Sequence, residues 1–403
     1  MNPVTVMQQT SRRILTINGG SSSIKFALFD KGAELRQLLT GEIERIGLAG
    51  TCLRVKGAEA VDNFSQPMPT QDFAAGASAL MDWLARRSDC EDLLAVGHRV
   101  VHGGPSHYEP HIITSALLKE LRALQEIDPE HLPQELRLIE SIKERFPGVA
   151  QVACFDTSFH HDLPRVARLL PIPRRYEAAG VRRYGFHGLS YEFMLSELAR
   201  INQAEALHGR LILTHLGNGS SIAAVHSGKS IDTSMSFTPA AGVPMGTRSG
   251  DLDPGLGGFL ARTEGMSPEQ FERMVNFQSG LLGISETSSD MRDLLDRELE
   301  DVRAREAVAV YCYQLKKWIG AYAAALGGLD TLVFAGGIGE HSPTIRERIC
   351  AGLSFLGVVL DQRRNAHNAA LLSPDSARIK VRIIATDEQL VIARAVTRVI
   401  DAG

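Results

Sequence analysis

The sequence predicts an α/β protein made of two related halves. Its 403 residues exceed one ordinary domain and suit two or three domains that each bury a core. Short apolar runs typical of strands alternate along the chain with longer helical patterns. A segment near the start also recurs about half a chain later. Together these three observations favour a duplicated α/β domain.

The recurring segment is a strand, a turn of glycine and serine, and a second strand. Residues 14–24 read ILTINGGSSSI and align without gaps with residues 212–222, which read ILTHLGNGSSI. Seven of the eleven pairs are identical, at an offset of 198 residues. For so short a match, a chance similarity of two hairpins is the alternative. Because the offset is close to half the chain, we favour a duplication whose two equivalent turns face one cleft.

The other elements follow from the spacing of apolar residues. Helical spacing predicts helices over residues 115–126, 134–145 and 303–326. Short apolar runs predict strands over residues 14–18, 24–29, 149–155 and 332–335. Residues 239–254 have almost no regular pattern and predict a long loop. Since no low-complexity linker separates these pieces, the domain boundaries must lie in short connections.

Composition excludes several classes of protein. The net charge is −4, without the basic excess of a nucleic-acid-binding protein, so local groups must hold any anionic ligand. Five thinly spread cysteines without a CxxC spacing indicate neither a disulfide framework nor a zinc site. The first thirteen residues lack the apolar region of a signal peptide, and residues 319–338 are interrupted by Asp330 and glycines. We therefore expect a cytoplasmic protein without a nucleic-acid or membrane partner.

Glycine-rich turns are the first candidate binding elements. Glycine lets backbone N–H groups approach an oxyanion closely, and serine adds hydroxyl donors. Asn18 and Lys25 flank the first such turn, and a third glycine loop, residues 336–340 (GGIGE), follows a predicted strand. Together they favour nucleotide binding. The third loop lacks the full GxGxxG, however, and the Gly-Lys-Ser at residues 228–230 lacks the first glycine of a Walker A motif.

Polar residues lie on both faces of the predicted strand in residues 97–104 (GHRVVHGG). Alternation places both histidines on one face and Arg99 on the other. This pattern is compatible with an exposed edge of a sheet or with an anion site, and the residues alone leave both open.

Four further residues are weighed as candidates for chemistry. Asp156 follows a buried strand, where α/β enzymes place functional groups, although it could instead cap a helix. His160 follows it closely, but two ligands do not close a transition-metal site. His187 lies in a glycine-flanked turn and Arg248 in the long loop, where an arginine can bind a carboxylate or phosphate through paired donors. The alternatives are a histidine satisfied within its loop for His187 and a solvated loop arginine for Arg248.

In combination, these motifs resemble the acetate kinase family over residues 14–393, nearly the whole chain. The resemblance rests on residues 18–25 (NGGSSSIK), 97–104 (GHRVVHGG), 155–160 (FDTSFH), 184–188 (YGFHG), 215–221 (HLGNGSS), 232–239 (DTSMSFTP), 245–248 (MGTR), 290–292 (DMR) and 337–340 (GIGE). It implies duplicated actin-like (ribonuclease H-like) domains with an ATP cleft between them. The first, residues 1–156 plus 385–403, would be the substrate side, to which the C-terminal helix returns. The second, residues 157–384, would bind nucleotide and dimerise.

The resemblance also implies an activity. It is the reversible, direct in-line transfer of the γ-phosphoryl group of ATP to a short-chain carboxylate, acetate to acetyl phosphate, in a homodimer with Mg²⁺ or, alternatively, Mn²⁺. Such a transfer needs charge neutralisation and positioning more than covalent help.

The resemblance assigns roles residue by residue. The implied catalytic residues are Asp156, His187 and Arg248, with Asp156 orienting Arg99 or the metal and the other two donating to the transferring phosphoryl group. The implied substrate contacts are Arg99, which would hold the carboxylate, and Val101, Phe186 and Pro239. The implied metal ligands are Asn18 and Glu388. The implied nucleotide contacts are Lys25, His215, Leu216, Gly217, Asn218, Gly219, Asp290, Met291, Arg292, Gly337, Ile338, Gly339, Glu340 and His341.

Three departures from the family's motifs bear on specificity. The family's Leu-His-Asn-Pro appears here as residues 130–133 (EHLP), so that Glu130 replaces an apolar wall residue. The family's Gly-Thr-Ser-His appears as residues 188–191 (GLSY), and His341 replaces an asparagine. Propionate, butyrate or a polar acid therefore remain alternatives to acetate.

Two other functions compete with a carboxylate kinase. A kinase of the same fold could act on a hydroxyl, but the paired Arg99 and Arg248 favour an anionic acceptor. A non-catalytic ATP-binding switch or scaffold would not need Asp156, His187 and Arg248 together.

Overall fold

A computed structural model describes residues 13–20, 23–47, 50–68, 70, 72–87, 90 and 93–402 of the chain. The chain splits into two compact units, the first formed by Met1–Ser158 with Asp387–Gly403 and the second by Phe159–Thr386. Each unit contains a β-sheet with helices packed against it. Ser21 and Ser22 of the first glycine–serine turn lie outside the described residues.

The first unit is built on an eight-stranded sheet. Its strands are β1 (Arg13–Gly19), β2 (Ile24–Lys31), β3 (Leu35–Glu44), β4 (Cys52–Gly57), β5 (Phe64–Pro67), β6 (Leu93–Val100), β7 (His111–Ile112) and β8 (Ala150–Phe155). Its helices are α1 (Phe73–Ala85), α2 (Ser115–Ala123), α3 (Leu132–Arg145) and the C-terminal helix (Glu388–Ala402). The strand order is β5-β4-β3-β2-β1-β6-β8-β7.

The second unit has a five-stranded sheet and more helices. Its strands are β9 (Arg210–Leu216), β10 (Ser220–His226), β11 (Lys229–Thr233), β12 (Thr331–Ala335) and β13 (Lys380–Ile383), in the order β11-β10-β9-β12-β13. Its helices are α4 (Arg165–Arg168), α5 (Arg174–Ala178), α6 (Gly188–Ile201), α7 (Gln203–His208), α8 (Gly255–Glu264), α9 (Pro268–Phe277), α10 (Gly280–Ser285), α11 (Met291–Arg297), α12 (Val302–Ala325), α13 (Gly336–His341), α14 (Pro343–Cys350) and α15 (Gln362–Ala366). Short 3-10 turns occur at Ala60–Asp62, Leu124–Glu126, Ser158–His160 and Ser354–Leu356.

The two sheets repeat one topology. In the first, β1, β2 and β3 form an antiparallel meander, and β6 and β8 continue the sheet parallel to β1. In the second, β9, β10 and β11 form the meander, and β12 and β13 continue parallel to β9. The predicted α/β class and the predicted duplication are therefore confirmed.

Most predicted elements end within a few residues of the observed ones, but one interpretation is wrong. Residues 97–104 do not form a sheet edge, because β6 is paired to β1 on one side and to β8 on the other. A central strand tolerates the polar side chains because each has a partner. His98, 2% exposed, bonds through Nε2 to Oε1 of Gln151 at 2.7 Å, and Arg99 bonds to Asp156.

Helices cover the sheets through apolar faces. In α1 and α3, Leu80 and Leu138 lie in the buried core of the first unit, as the helical period requires. The C-terminal helix packs so closely on β6 that a Cβ at Gly97 would lie 2.4 Å from Cγ2 of Ile392. In the second unit, α12 buries Tyr311 among its core residues. Among the described residues, no helix is long and apolar enough to cross a membrane.

Candidate active site

Three polar side chains meet at one edge of the first sheet. Asn18 lies near the end of β1, Arg99 near the end of β6, and Asp156 directly after β8. Since these three strands are neighbours and parallel, their carboxyl ends share one edge. Arg99 donates to Oδ2 of Asp156 from Nε at 3.0 Å and from Nη2 at 2.5 Å, and its Nη1 lies 3.2 Å from Oδ1 of Asn18.

The positive charge of Arg99 is mostly buried and is held in one orientation. The side chain of Arg99 is 14% exposed and that of Asp156 is 1% exposed. Burial opposes the charge of Arg99, but the carboxylates of Asp156 and Glu388 outweigh it and raise the pKa of the guanidinium above its usual range. The group therefore stays cationic at every pH of interest and is fixed in orientation by two strands.

The C-terminal helix brings a second carboxylate to this edge. Asp387 caps the helix by accepting from the backbone N–H of Leu390 at 2.9 Å, so the helix begins at Glu388. The amide nitrogen of Asn18 donates to Oε2 of Glu388 at 2.8 Å. One amide oxygen and one carboxylate are hard oxygen donors, few in number. Such a donor set fits Mg²⁺, which keeps most of its waters, and does not fit zinc.

A buried acid, Glu135, supports the end of β6, and sequence reasoning missed it. Both carboxylate oxygens of Glu135, on α3, accept from the backbone N–H of Val101, at 3.2 and 3.0 Å. Glu135 is 3% exposed, and burial raises its pKa well above the usual range despite the nearby Arg99 charge. An acid on the apolar face of α3 was the available signal. Through these hydrogen bonds, Glu135 fixes the backbone of Val101, a predicted acyl contact.

In the second unit, His187 occupies a constrained position before a helix. It has φ 59° and ψ 27°, the left-handed region that few residues other than glycine adopt, and α6 begins at the next residue. Its Nδ1 lies 2.8 Å from Oγ of Ser221 on β10. Its ring packs on that of His215, with centroids 4.3 Å apart, and Nδ1 of His215 in turn lies 2.8 Å from Oγ of Ser190.

Gly219 marks the place where two predicted catalytic donors converge. A Cβ at Gly219 would lie 3.2 Å from Nε2 of His187 and 3.6 Å from Nη1 of Arg248. Nη1 of Arg248 also lies 3.4 Å from the carbonyl oxygen of Pro239. This bond connects the start of the loop 239–254 with the arginine that lies beside Gly219. Phe186 is buried beside His187, 1% exposed. The structure thus brings together four of the predicted catalytic and substrate residues within the second unit.

Two glycine-rich loops lie at one edge of the second sheet. The turn between β9 and β10 contains Gly217, whose N–H donates to the carbonyl of Gly219 at 3.0 Å. At the end of the parallel neighbour β12, Gly336 has φ 75°, and a Cβ there would lie 2.7 Å from the carbonyl oxygen of Leu216. Oε1 of Glu340 accepts from the N–H of Gly336 at 2.9 Å and so closes the first turn of α13.

The remaining predicted nucleotide residues have mixed surroundings. Asp290 caps α11 and pairs with Arg292, whose side chain is 86% exposed, while Met291 is buried. His341 is exposed at the end of α13, and Lys25 is exposed on β2. Both form part of the sequence motifs but neither is held by the side-chain contacts that fix Arg99 or His187.

The histidine after Asp156 is a structural residue. His160 is 2% exposed, its Nδ1 lies 2.8 Å from Oγ of Ser230, and its Nε2 lies 3.1 Å from the carbonyl oxygen of Phe186. Burial lowers its pKa to about 4, so it is neutral. Across the part of the chain that the structure describes, no group of three or more His, Cys, Asp or Glu could hold a metal ion. The side chain of Asp156 pairs with Arg99 through Oδ2, so its carboxylate belongs to the charged group at the edge of the first sheet.

The sequence matches the acetokinase family over residues 13–394. The chain belongs to the acetokinase family. It is 41% identical to a propionate kinase of Citrobacter rodentium over 394 residues, which cover 96% of this chain and 97% of the relative. It is 42% identical to an acetate kinase of Thermosipho melanesiensis over 400 residues, 97% of this chain and 98% of the relative.

Solved structures agree with this membership. The crystal structure of Porphyromonas gingivalis acetate kinase superposes with a TM-score of 0.84 at 33% identity, covering 96% of this chain and all of that one. A propionate kinase from Francisella tularensis gives a TM-score of 0.88 at 34% identity, covering 95% and 98%. The expected duplicated actin-like α/β fold is confirmed. As an acetokinase, the chain is an enzyme that phosphorylates a carboxylate with ATP as co-substrate.

Proposed function

We propose that this acetokinase transfers the γ-phosphoryl group of ATP reversibly to acetate and forms acetyl phosphate. The observation that carries the proposal is Arg99, a permanent cation whose orientation is fixed by Asp156 and Asn18 at the carboxyl edge of a sheet. A fixed, partly buried guanidinium is suited to a small carboxylate that offers two oxygens. Propionate is the alternative within the family, supported by the propionate kinase relatives.

The roles in the first unit follow from its charges. Arg99 binds the substrate carboxylate, and Val101, held by Glu135, forms part of the acyl wall. Asp156 stabilises the charge and orientation of Arg99 through Oδ2. A carboxylate substrate is already nucleophilic at neutral pH, so Asp156 need not remove a proton. This is the difference from a hydroxyl acceptor, which would require a base.

The roles in the second unit follow from the positions of His187 and Arg248 beside Gly219. His187 and Arg248 donate to the oxygens of the transferring phosphoryl group, where negative charge accumulates in the transition state. Phe186 and Pro239 complete the acyl contacts. The proposed nucleotide-contacting segments are the turn at residues 215–219, Asp290 to Arg292 and residues 337–341, with Lys25 from the first unit. Backbone N–H groups in the glycine loops suit phosphate oxygens.

Asn18 and Glu388 would hold Mg²⁺. When bound, the ion would neutralise phosphate charge on ATP, and Mn²⁺ offers the same oxygen-preferring chemistry. Asn18 has a double role in this proposal, since its amide oxygen also accepts from Arg99. The amide therefore links the substrate-binding cation to the metal-binding carboxylate.

We further propose the organisation that the sequence predicts. Residues 1–156 plus 385–403 form the substrate-side domain, residues 157–384 form the nucleotide-binding and dimerisation domain, and the enzyme is a homodimer that acts without nucleic acid or membrane. A cytoplasmic location suits an ATP-consuming enzyme with an odd number of scattered cysteines.

The test is a hydroxylamine trap for acyl phosphate. The purified protein is incubated with ATP, Mg²⁺ and each acid from formate to butyrate, and hydroxamate is measured. We expect the strongest signal with acetate or propionate. A stronger signal with butyrate would overturn the acyl assignment. A flat panel from protein that binds ATP would overturn the proposed function as a whole.

A further inference from the structure

A chain of hydrogen bonds runs from Tyr191 through Ser221 to His187. Tyr191, on α6, is fully buried, and its hydroxyl lies 2.5 Å from Oγ of Ser221. Oγ of Ser221 lies 2.8 Å from Nδ1 of His187. All three side chains belong to the second unit.

The direction of each hydrogen bond can be assigned from the donors present. Tyr191 is fully buried, so its hydroxyl proton needs an acceptor within the protein. The phenol must then place its own proton on Oγ of Ser221, the acceptor within reach. Ser221 has one proton, and the acceptor that remains for it is Nδ1 of His187. Burial raises the pKa of Tyr191, so the phenol keeps its proton and this order is stable.

The order fixes the tautomer of His187. If Nδ1 accepts a hydrogen bond from Ser221, the proton of the neutral imidazole must be on Nε2. Nε2 is the atom that lies nearest to the position of a Cβ on Gly219, in the place that Nη1 of Arg248 also approaches. The N–H bond is therefore presented where the proposed mechanism needs a donor.

We infer that Tyr191 and Ser221 are positioning residues that hold His187 as the Nε2–H tautomer and aim that proton at the transferring phosphoryl group. The inference rests on the proposed function for the purpose of the proton. No proton leaves His187 in this role, since it donates a hydrogen bond and keeps its charge unchanged.

The geometry around Tyr191 supports a fixed role. Its ring packs against those of His160 and Phe159, with centroids 5.5 and 5.7 Å away. His160 is bonded to the carbonyl of Phe186, the residue before His187. The ring of Tyr191 and the backbone of His187 are thus supported by the same buried histidine, which leaves the phenol little freedom to turn away from Ser221.

Kinetics of Tyr191→Phe and Ser221→Ala test the inference. Each variant should lower kcat about tenfold, less than the ~10²–10³ lost with a direct transition-state donor, and leave the KM values for ATP and for the acid unchanged. Because the two act in series, the double variant should be no worse than Ser221→Ala. Ser221→Thr keeps the hydroxyl and should retain most of the activity. Additive losses would overturn the serial arrangement.

A spectroscopic measurement tests the tautomer without turnover. Long-range ¹H–¹⁵N correlation spectra of histidine-labelled protein distinguish the two tautomers, and His187→Gln identifies the His187 signals by their absence. We expect Nε2–H in the wild type and loss of the single tautomer in Tyr191→Phe. The matched control is Tyr311→Phe, which removes a buried hydroxyl bonded at 2.9 Å to Ser220, the residue beside Ser221. It should leave the His187 signals in place.

The outcomes separate the two proposals. If the wild type forms acyl phosphate but both variants keep full kcat and the Nε2–H signal, the positioning role is wrong and the proposed function stands. If the wild type forms no acyl phosphate with any acid, the proposed function fails, while the spectra still decide the tautomer. An Nδ1–H signal in the wild type would contradict the inference directly.

Discussion

Five strands of the first sheet, β3-β2-β1-β6-β8, repeat the order of the second sheet, but the two sheets support different chemistry at their carboxyl edges. In the first unit, the edge has charged side chains that hold one another, with Arg99 bonded to Asp156 and to Asn18. In the second, the edge has glycine turns, backbone groups and neutral hydrogen bonds around His187. A duplicated scaffold therefore fixes where functional groups can be placed but not what they are.

The repeated hairpins show how the difference arises. In the first, Gly19 pairs with Ile24, so the paired residues are five positions apart, whereas in the second Leu216 pairs with Ser220, four positions apart. The aligned residue Ile222 accordingly pairs with Thr214 and not with Gly217. The strand and the glycine are repeated, but the register is shifted. This shift places Ser221 opposite His215, where it reaches His187.

Removing the arginine of the second unit should have the largest effect. We expect Arg248→Ala to lower kcat by about 10³-fold or more, because it removes a charged donor to the phosphoryl group, while ATP binding is retained. Hydroxamate formation and calorimetric titration with ATP measure the two quantities. Arg262→Ala, an exposed arginine on α8, is the matched control. Unchanged turnover in Arg248→Ala would remove this residue from the catalytic group.

Breaking the charge group of the first unit should affect both activity and stability. Asp156→Asn leaves the buried cation of Arg99 without its carboxylate, so we expect the free energy of unfolding to fall by about 3–5 kcal/mol and activity to fall about 10²-fold. The control is Asp62→Asn, which breaks another poorly exposed ion pair of this unit, with Arg87 at 2.7 Å. The control should lose stability in urea denaturation but keep its KM for the acid. Equal kinetic effects in both variants would mean that Asp156 has only a structural role.

Motifs in the sequence predicted the fold class and the duplication, and they named candidate site residues that the structure places near one another within each unit. The sequence could do so because Arg99, Asp156 and His187 lie at strand ends or in turns, where their neighbours in the chain determine their position. It could not predict Glu135, Ser221 or Gln151 as supporting residues, because each acts through a contact from a distant segment. Residues 97–104 were misinterpreted in part as an edge for the same reason: the partners of His98 and Arg99 are 53 and 57 residues away.

A buried neutral histidine in each unit gives a pH-dependent comparison. Burial lowers the pKa of His98 in the first unit and of His160 in the second to about 4, against about 6.5 in an unfolded chain. As the pH falls from about 6.5 to about 4, the unfolded chain binds protons that the folded chain does not. Each histidine should therefore reduce the free energy of unfolding by up to about 3 kcal/mol over that range.

The two tryptophans allow the unfolding of each unit to be measured separately by fluorescence. Trp83 lies on α1 of the first unit and Trp318 on α12 of the second. In a Trp318→Phe background, fluorescence reports the first unit, and His98→Gln should flatten its acid dependence. In a Trp83→Phe background, His160→Gln should do so for the second. An unchanged pH slope in either pair would show that the histidine concerned is not the titrating group.

A methyl group in the second glycine turn should have the smallest effect. In Gly219→Ala, the new carbon would lie 3.2 Å from Nε2 of His187 and 3.6 Å from Nη1 of Arg248, in the space where the phosphoryl oxygens must come. We expect kcat to fall about tenfold, a mild misplacement relative to the ~10²–10³ cost of losing a donor, with no change in unfolding midpoint. Gly320→Ala, on α12 with open space around it, should leave kcat unchanged and stabilise the helix by about 0.5–1 kcal/mol. If Gly219→Ala keeps full activity, then His187 and Arg248 do not donate to one phosphoryl group at this turn. The difference between the two sheets, charged side chains at the first edge and glycine turns at the second, would then have no consequence for catalysis.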